Sequence, residues 1–200
     1  MLAGVLEPDA GAVEVFGHAV ALWGRAALHR VISYVPQQGF LLPGSVADNI
    51  ACGARDVASC TQADIEVAAK CAEADEFIRG LSDGYDTVLG SGGVTLSGGQ
   101  RQRTCLARGC LSHARVMLLD ESLSAVDSDR EERVLRNLLS DRQLTVICTT
   151  HRSSLWRGFD RIVVMHNGRV CDVGSHRELL ERCEVYNALW LGEKVVDPCD

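Results

Sequence analysis

Along the chain, short apolar runs alternate with stretches of helical period, the pattern of an α/β domain. Val13–Phe16 and Ile32–Val35 read as short strands, with Gly11 and Gly17 as turn residues around the first. From Thr61 to Leu81 the period is helical: Ile65, Val67, Ala68, Ala69 and Ala72 fall on neighbouring turns, and Thr61 suits an N-cap. Ser97 is placed to cap a helix running to about Cys110. Val116–Leu119 is a continuous apolar run, as expected of a strand buried on both faces. Ser128–Leu139 reads as a helix with Val134, Leu135, Leu138 and Leu139 on one stripe, and Leu144–Thr149 is again β-rich. Arg161–Met165 and Arg169–Asp172 flank Asn167-Gly168, a hairpin signal because both residues tolerate positive φ. Two closing helices are expected over Ser175–Arg182 and Glu184–Leu191.

Composition narrows the class. A chain of 200 residues, 46% hydrophobic and 24% charged, suits one domain with a sizeable core. The formal charge of −7 argues against a surface that neutralises many phosphates, so nucleic acid is not an expected partner. No apolar run approaches the roughly 20 residues a bilayer span needs, and MLAGVLEPDA lacks the regions of a signal peptide. The nine cysteines form no C-x-x-C pair or zinc-type grouping, and an odd count suits reduced thiols of a cytosolic domain.

Four stretches carry candidate chemistry. In Ser97-Gly98-Gly99-Gln100, a hydroxyl and the amides of two glycines fall at a helix N-terminus, where unpaired N–H groups and the helix dipole favour an anion. A plain Gly-rich cap is the ordinary alternative. Val116–Leu119 delivers Asp120 and Glu121 to a strand's carboxyl end, the ligand-binding edge of open α/β sheets. Asp120 suits Mg²⁺ held through water, and Glu121 suits orienting or deprotonating an attacking water; two solvated loop acids are the alternative. His151 follows another β-rich run and suits a contact to a terminal phosphate, or else a structural role. Gln37, just past Ile32–Val35, carries an amide able to bind metal water and nucleophilic water, or is an ordinary loop residue.

Together, LSGGQ at Leu96–Gln100, VMLLDE at Val116–Glu121, SAVD at Ser124–Asp127, His151 and the glutamine of VPQ at Gln37 resemble the nucleotide-binding domain of ATP-binding-cassette (ABC) transporters. The resemblance runs from Leu2 to about Trp190. It implies one P-loop NTPase-like α/β domain over residues 1–200, with a mixed or parallel sheet core and a helical signature subdomain over about 50–110. By the same resemblance Ser97, Gly98, Gly99 and Gln100 belong to the signature motif, Asp120 ends the Walker B strand and binds Mg²⁺ with Gln37, and Glu121 is the catalytic glutamate. His151 is then the switch histidine, and Ser124, Ala125, Val126 and Asp127 form the D-loop. The segments "FLLPGSVADNIACG", "GYDTVLGSGGVTLSGGQ" and "HNGRVCDVGSHREL" are similar to exporters of the multidrug and multidrug-resistance-associated kinds.

The family's G-x-x-x-x-G-K-[ST] loop does not occur in the sequence. The opening "MLAGVLEPDAGAVEVFG" looks like the segment after the P-loop helix, so the P-loop strand and Walker A lysine are expected to be missing, and the chain alone is expected to be inactive. The resemblance implies ATP and Mg²⁺ as cofactors and a second nucleotide-binding domain as head-to-tail partner. It also implies the transmembrane domains of an exporter, contacted through Gln37–Ile50, and hence a membrane-associated location on the cytoplasmic face through domains this chain does not contain. The alternatives are a non-transport ABC ATPase and a catalytically silent or regulatory module that supplies only a signature half-site.

Overall fold

The computed structural model describes residues 1–90, 95–123 and 127–192. The chain divides into two compact units, Met1–Thr149 and Thr150–Asp200.

The first unit is organised by a parallel sheet. Its strands β3 (Ile32–Val35), β6 (Val116–Asp120) and β7 (Thr145–Thr149) lie in the order β3-β6-β7. Val35 pairs with Leu119 and Asp120 with Thr149, so all three strands point their carboxyl ends the same way. The apolar run of β6 is explained by its place: it is paired on both edges, and Val116 through Leu119 are buried. In β7, Thr145, Ile147 and Thr149 are exposed and alternate with half-buried residues, a period of two that fits one covered face.

Two small antiparallel pairs accompany the sheet, one before β3 in sequence and one between β3 and β6. In the first, β1 (Glu14–Val15) and β2 (His18–Ala19) are joined by Phe16 and Gly17, both at positive φ. The strand expected over Val13–Phe16 is therefore cut to two residues, because Phe16 already belongs to the turn. β4 (Gly44–Ser45) pairs with β5 (Val88–Leu89).

The helices beginning at Val46, Gln62, Gly98 and Ser128 start where a side chain satisfies a free amide; those beginning at Arg25 and Asp75 have no such cap. α1 (Arg25–Val31) leads into β3. α2 (Val46–Ala51) and α3 (Gln62–Cys71) begin with capping boxes, Ser45 with Asp48 and Thr61 with Asp64. The helix expected from Thr61 to Leu81 is two helices, α3 and then α4 (Asp75–Arg79). Glu73 turns left-handed between them (φ 53°), and the Ala74 amide reaches back to the Ala69 carbonyl at 2.7 Å, a Schellman-type stop. That conformation is held from outside the segment: Arg103 donates to the Glu73 carbonyl at 3.0 Å and Arg133 to its carboxylate at 2.9 Å.

α5 (Gly98–Leu111) is capped by Ser97, and α6 (Ser128–Leu139) by Asp127, which accepts from the Arg130 amide. Gly109 of α5 packs so closely on β3 that a Cβ there would stand 2.9 Å from Val35 Cγ2. The loop after β3 is pinned to α5 through Asn49, which is fully buried. Its Oδ1 accepts from the Leu42 amide (2.8 Å) and from Arg108 Nη2 (2.9 Å), and its Nδ2 donates to the Leu42 and Ser45 carbonyls. A buried amide with its hydrogen-bonding capacity met fixes the loop rather than burdening the core.

In the second unit, β8 (Ile162–His166) and β9 (Arg169–Gly174) form a hairpin turned by Asn167 (φ 49°) and Gly168 (φ 73°), as the dipeptide implies. α7 (Ser153–Trp156) precedes it, and α8 (His176–Arg182) and α9 (Glu184–Leu191) close it. Val164, Leu179, Cys183 and Tyr186 form its core.

Candidate active site at the strand ends and the start of α5

In the first unit the carboxyl ends of the three parallel strands gather a connected set of polar side chains. Gln37, two residues past β3, donates from Nε2 to Glu121 Oε2 at 2.7 Å. Asp120, the last residue of β6, accepts from two hydroxyls, Tyr34 at 3.0 Å on Oδ2 and Thr149 at 2.8 Å on Oδ1. Desolvation, reinforced by the hydrogen bond and charge of Asp120, raises the Tyr34 phenol above its ordinary pKa.

Glu121 leaves the strand in a left-handed conformation (φ 45°) that non-glycine residues adopt at a cost of roughly 1–2 kcal/mol. Its amide donates to two acceptors of one residue, the Thr149 carbonyl at 3.1 Å and the Thr149 hydroxyl at 3.0 Å. The turn therefore breaks the strand's alternation and sends the Glu121 carboxylate toward Gln37. Gln102 of α5, which is buried, donates from Nε2 to the carbonyls of both Gln37 and Glu121, each at 3.4 Å.

The start of α5 lies one turn before Gln102. Ser97 Oγ accepts from the Gln100 amide at 3.3 Å, and Gln100 Oε1 accepts from the Ser97 amide at 3.0 Å. The serine oxygen thus already satisfies one amide of the helix end, and Gln100 serves the cap. Gly98 is exposed, and no described atom comes within 4 Å of where its Cβ would stand, apart from chain neighbours and the helix's own backbone. Arg103 is turned away from this end: half-buried, it lies 4.9 Å from the Phe77 ring centroid and donates to Glu73. Burial, then the charge of Arg130, lowers its pKa.

The structure thus links Gln37, Asp120 and Glu121, and ties them through Gln102 to the helix that begins at Gly98. His151 is exposed and belongs to the second unit. Ser124, Ala125 and Val126 lie outside the described residues, while Asp127 caps α6. Tyr34, Thr149 and Gln102 had no sequence signal of their own: each acquires its partner from an element far away in the chain. Among the described residues no group of three or more His, Cys, Asp or Glu could hold a metal ion. The oxygen donors of Asp120 and the Gln37 side chain suit an ion that takes one or two protein ligands and completes its shell with water and phosphate, as Mg²⁺ does.

An open parallel sheet with helices packed on it and polar side chains gathered at its strand ends has the α/β architecture of a P-loop NTPase-like domain. The chain belongs to the ABC transporter family, whose model matches residues 1–124. It is 43% identical over 186 residues to the ATP-dependent lipid A-core flippase of Alkalilimnicola ehrlichii, covering 92% of this chain and 31% of that protein. It is 39% identical over 183 residues to the mitochondrial ATP-binding cassette sub-family B member 10 of Mus musculus, covering 90% of this chain and 25% of that one. A bacterial Atm1-family ABC exporter solved with ATP bound has the same fold, with a TM-score of 0.87 and 33% identity over 96% of this chain and 33% of its own. The chain therefore spans about a third or less of the length of these relatives.

Proposed function

We propose that these residues are part of the nucleotide-binding domain of an ABC exporter, in which ATP hydrolysis drives transport by membrane domains outside this chain. Residues 1–200 are read as one such domain, with the helices between about 50 and 110 as its signature subdomain. The observation that carries the reading is the 2.7 Å hydrogen bond from Gln37 to Glu121 beside Asp120. A carboxylate whose orientation is held by a neighbouring amide from a separate strand end is suited to accept a proton from a water beside it for attack on a phosphate. Asp120 and Gln37 would hold Mg²⁺, which when bound offsets charge on the phosphates. Glu121 orients the attacking water and takes its proton, and His151 is assigned the terminal phosphate.

Ser97, Gly98 and Gly99 are assigned to the γ-phosphate of an ATP carried by a second nucleotide-binding domain, packed head to tail. The family's phosphate-cradling lysine is not among the 200 residues, so no residue of this chain is given that role. Among the described residues no helix is long and apolar enough to cross a membrane. The reading puts the domain on the cytoplasmic face, contacting transmembrane domains through Gln37–Ile50. Ser124, Ala125, Val126 and Asp127 are read as the D-loop.

The test is Glu121→Gln in the full-length protein. It removes the carboxylate and keeps the shape, so ATP still binds while phosphate release slows by about 10²-fold or more. Turnover equal to wild type would move the base elsewhere and remove the reading's central assignment.

A further inference from the structure

We propose that Thr149 is a positioning residue for the paired carboxylates Asp120 and Glu121, acting through its side-chain hydroxyl. The inference rests on the ATPase reading of this site. A threonine hydroxyl has one hydrogen to donate and lone pairs to accept. Here both capacities are directed at consecutive residues of the neighbouring strand: the hydrogen goes to Asp120 Oδ1 at 2.8 Å, and a lone pair takes the Glu121 N–H at 3.0 Å. The donor end fixes the rotation of the Asp120 carboxylate. The acceptor end helps to hold the peptide that enters Glu121, whose left-handed φ is not one its own side chain favours.

The backbone explains why one residue reaches both. Thr149 and Asp120 are register partners in the parallel β6–β7 pair, and the chain turns immediately after Asp120. The Glu121 amide consequently meets the carbonyl and the hydroxyl of the same residue. Strand pairing alone supplies the carbonyl. The hydroxyl is the addition, and it couples the geometry of the residue assigned to metal with that of the residue assigned to water. Serine preserves the coupling; valine keeps the β-branched shape at this exposed strand position and deletes it.

The experiment compares wild type, Thr149→Val, Thr149→Ser and Glu121→Gln in the full-length protein, with two readouts. Amide hydrogen exchange at Glu121, followed by NMR without nucleotide, is expected to be about fivefold faster in the valine variant and near wild type in the serine variant, since one of two acceptors is lost. With Mg²⁺ and ATP, kcat is expected to fall roughly tenfold in Thr149→Val with KM within about twofold, and Thr149→Ser is expected to recover most of kcat. If Thr149→Val does not fold, Thr149→Ala is read in its place. Exchange and kcat both at wild-type levels in the hydroxyl-free variant overturn the proposal, as does a serine variant as impaired as valine. Glu121→Gln separates the two levels: a Glu121→Gln protein with full turnover rejects the ATPase reading, whereas an inactive Glu121→Gln protein beside a fully active Thr149→Val rejects the role of Thr149 alone.

Discussion

α3 and α5 begin with the same device and differ by one charge. Thr61 and Asp64 close a reciprocal capping box at the start of α3, and Ser97 and Gln100 do so at the start of α5. The box of α2 also uses an aspartate, Asp48, and that of α8 a glutamate, Glu178. Carboxylates at a helix N-terminus compensate the positive end of the macrodipole, which is their ordinary benefit. α5 forgoes it. Its cap is geometrically complete and electrically neutral, so the positive end is left for whatever approaches Gly98, where no neighbouring side chain among the described residues fills the space. α3 is capped for its own stability; α5 is capped in a way that also suits an incoming anion.

The largest effect that could break this comparison is expected at Gly98. An aspartate there meets no described neighbour and stands in a helix's first turn, where acidic residues are favoured, so thermal stability is expected to match or exceed wild type. On the proposed assignment of Gly98 to the γ-phosphate, the same change in the full-length protein would set a carboxylate against that phosphate and is expected to lower ATP turnover by about 10²-fold. Differential scanning fluorimetry and phosphate release measure the two effects. A loss of stability as large as the loss of turnover would mean that Gly98 serves the fold instead.

How far this was legible from sequence depends on where each feature gets its determinants. The buried run of β6, the start of α5 and the Asn167-Gly168 hairpin are set by nearby residues, and the structure keeps them where the pattern puts them. α6 agrees to the residue, because its cap and stripe are both local. Glu73 shows the opposite case: a glutamate performs the left-handed stop usually left to glycine, held there by Arg103 and Arg133 from two other helices. Gln37, Asp120 and Glu121 could be singled out by their positions at strand ends. Tyr34, Gln102 and Thr149 could not, since their roles arise only when β3, β6, β7 and α5 come together.

A sharper form of the comparison keeps the cap and changes only its charge. Gln100→Glu retains the oxygen that accepts from the Ser97 amide and makes the box of α5 like that of α8. It is expected to stabilise the chain by about 0.3–1 kcal/mol through the dipole. Turnover in the full-length protein is expected to fall roughly tenfold, mostly as a raised KM for ATP, since the added charge opposes an anion approaching the helix end. Higher stability without any kinetic cost would show that the neutral box has no bearing on ligand charge.

The smallest effect belongs to the reciprocal change on α3, Asp64→Asn. The Thr61 hydroxyl and amide both donate to Asp64, and these hydrogen bonds lower its pKa below the usual aspartate value. A depressed folded-state pKa contributes stability above the unfolded value, and that contribution is lost as pH falls through the folded one. The wild type is therefore expected to melt about 1–2 °C above Asp64→Asn near pH 7, with the gap closing as pH drops below about 4. α5, with Gln100 in the corresponding place, has no such titrating cap, so a Gln100→Ala variant measured over the same range is expected to show an offset from wild type that does not change with pH. ATP turnover is expected to be untouched by Asp64→Asn, because the hydrogen bonds described for its carboxylate go to Thr61 at the start of its own helix and to none of the residues assigned to ATP. A kinetic defect in that variant, or a pH-dependent offset in Gln100→Ala, would erase the distinction between a cap that stabilises a helix and one that leaves its end free for an anion.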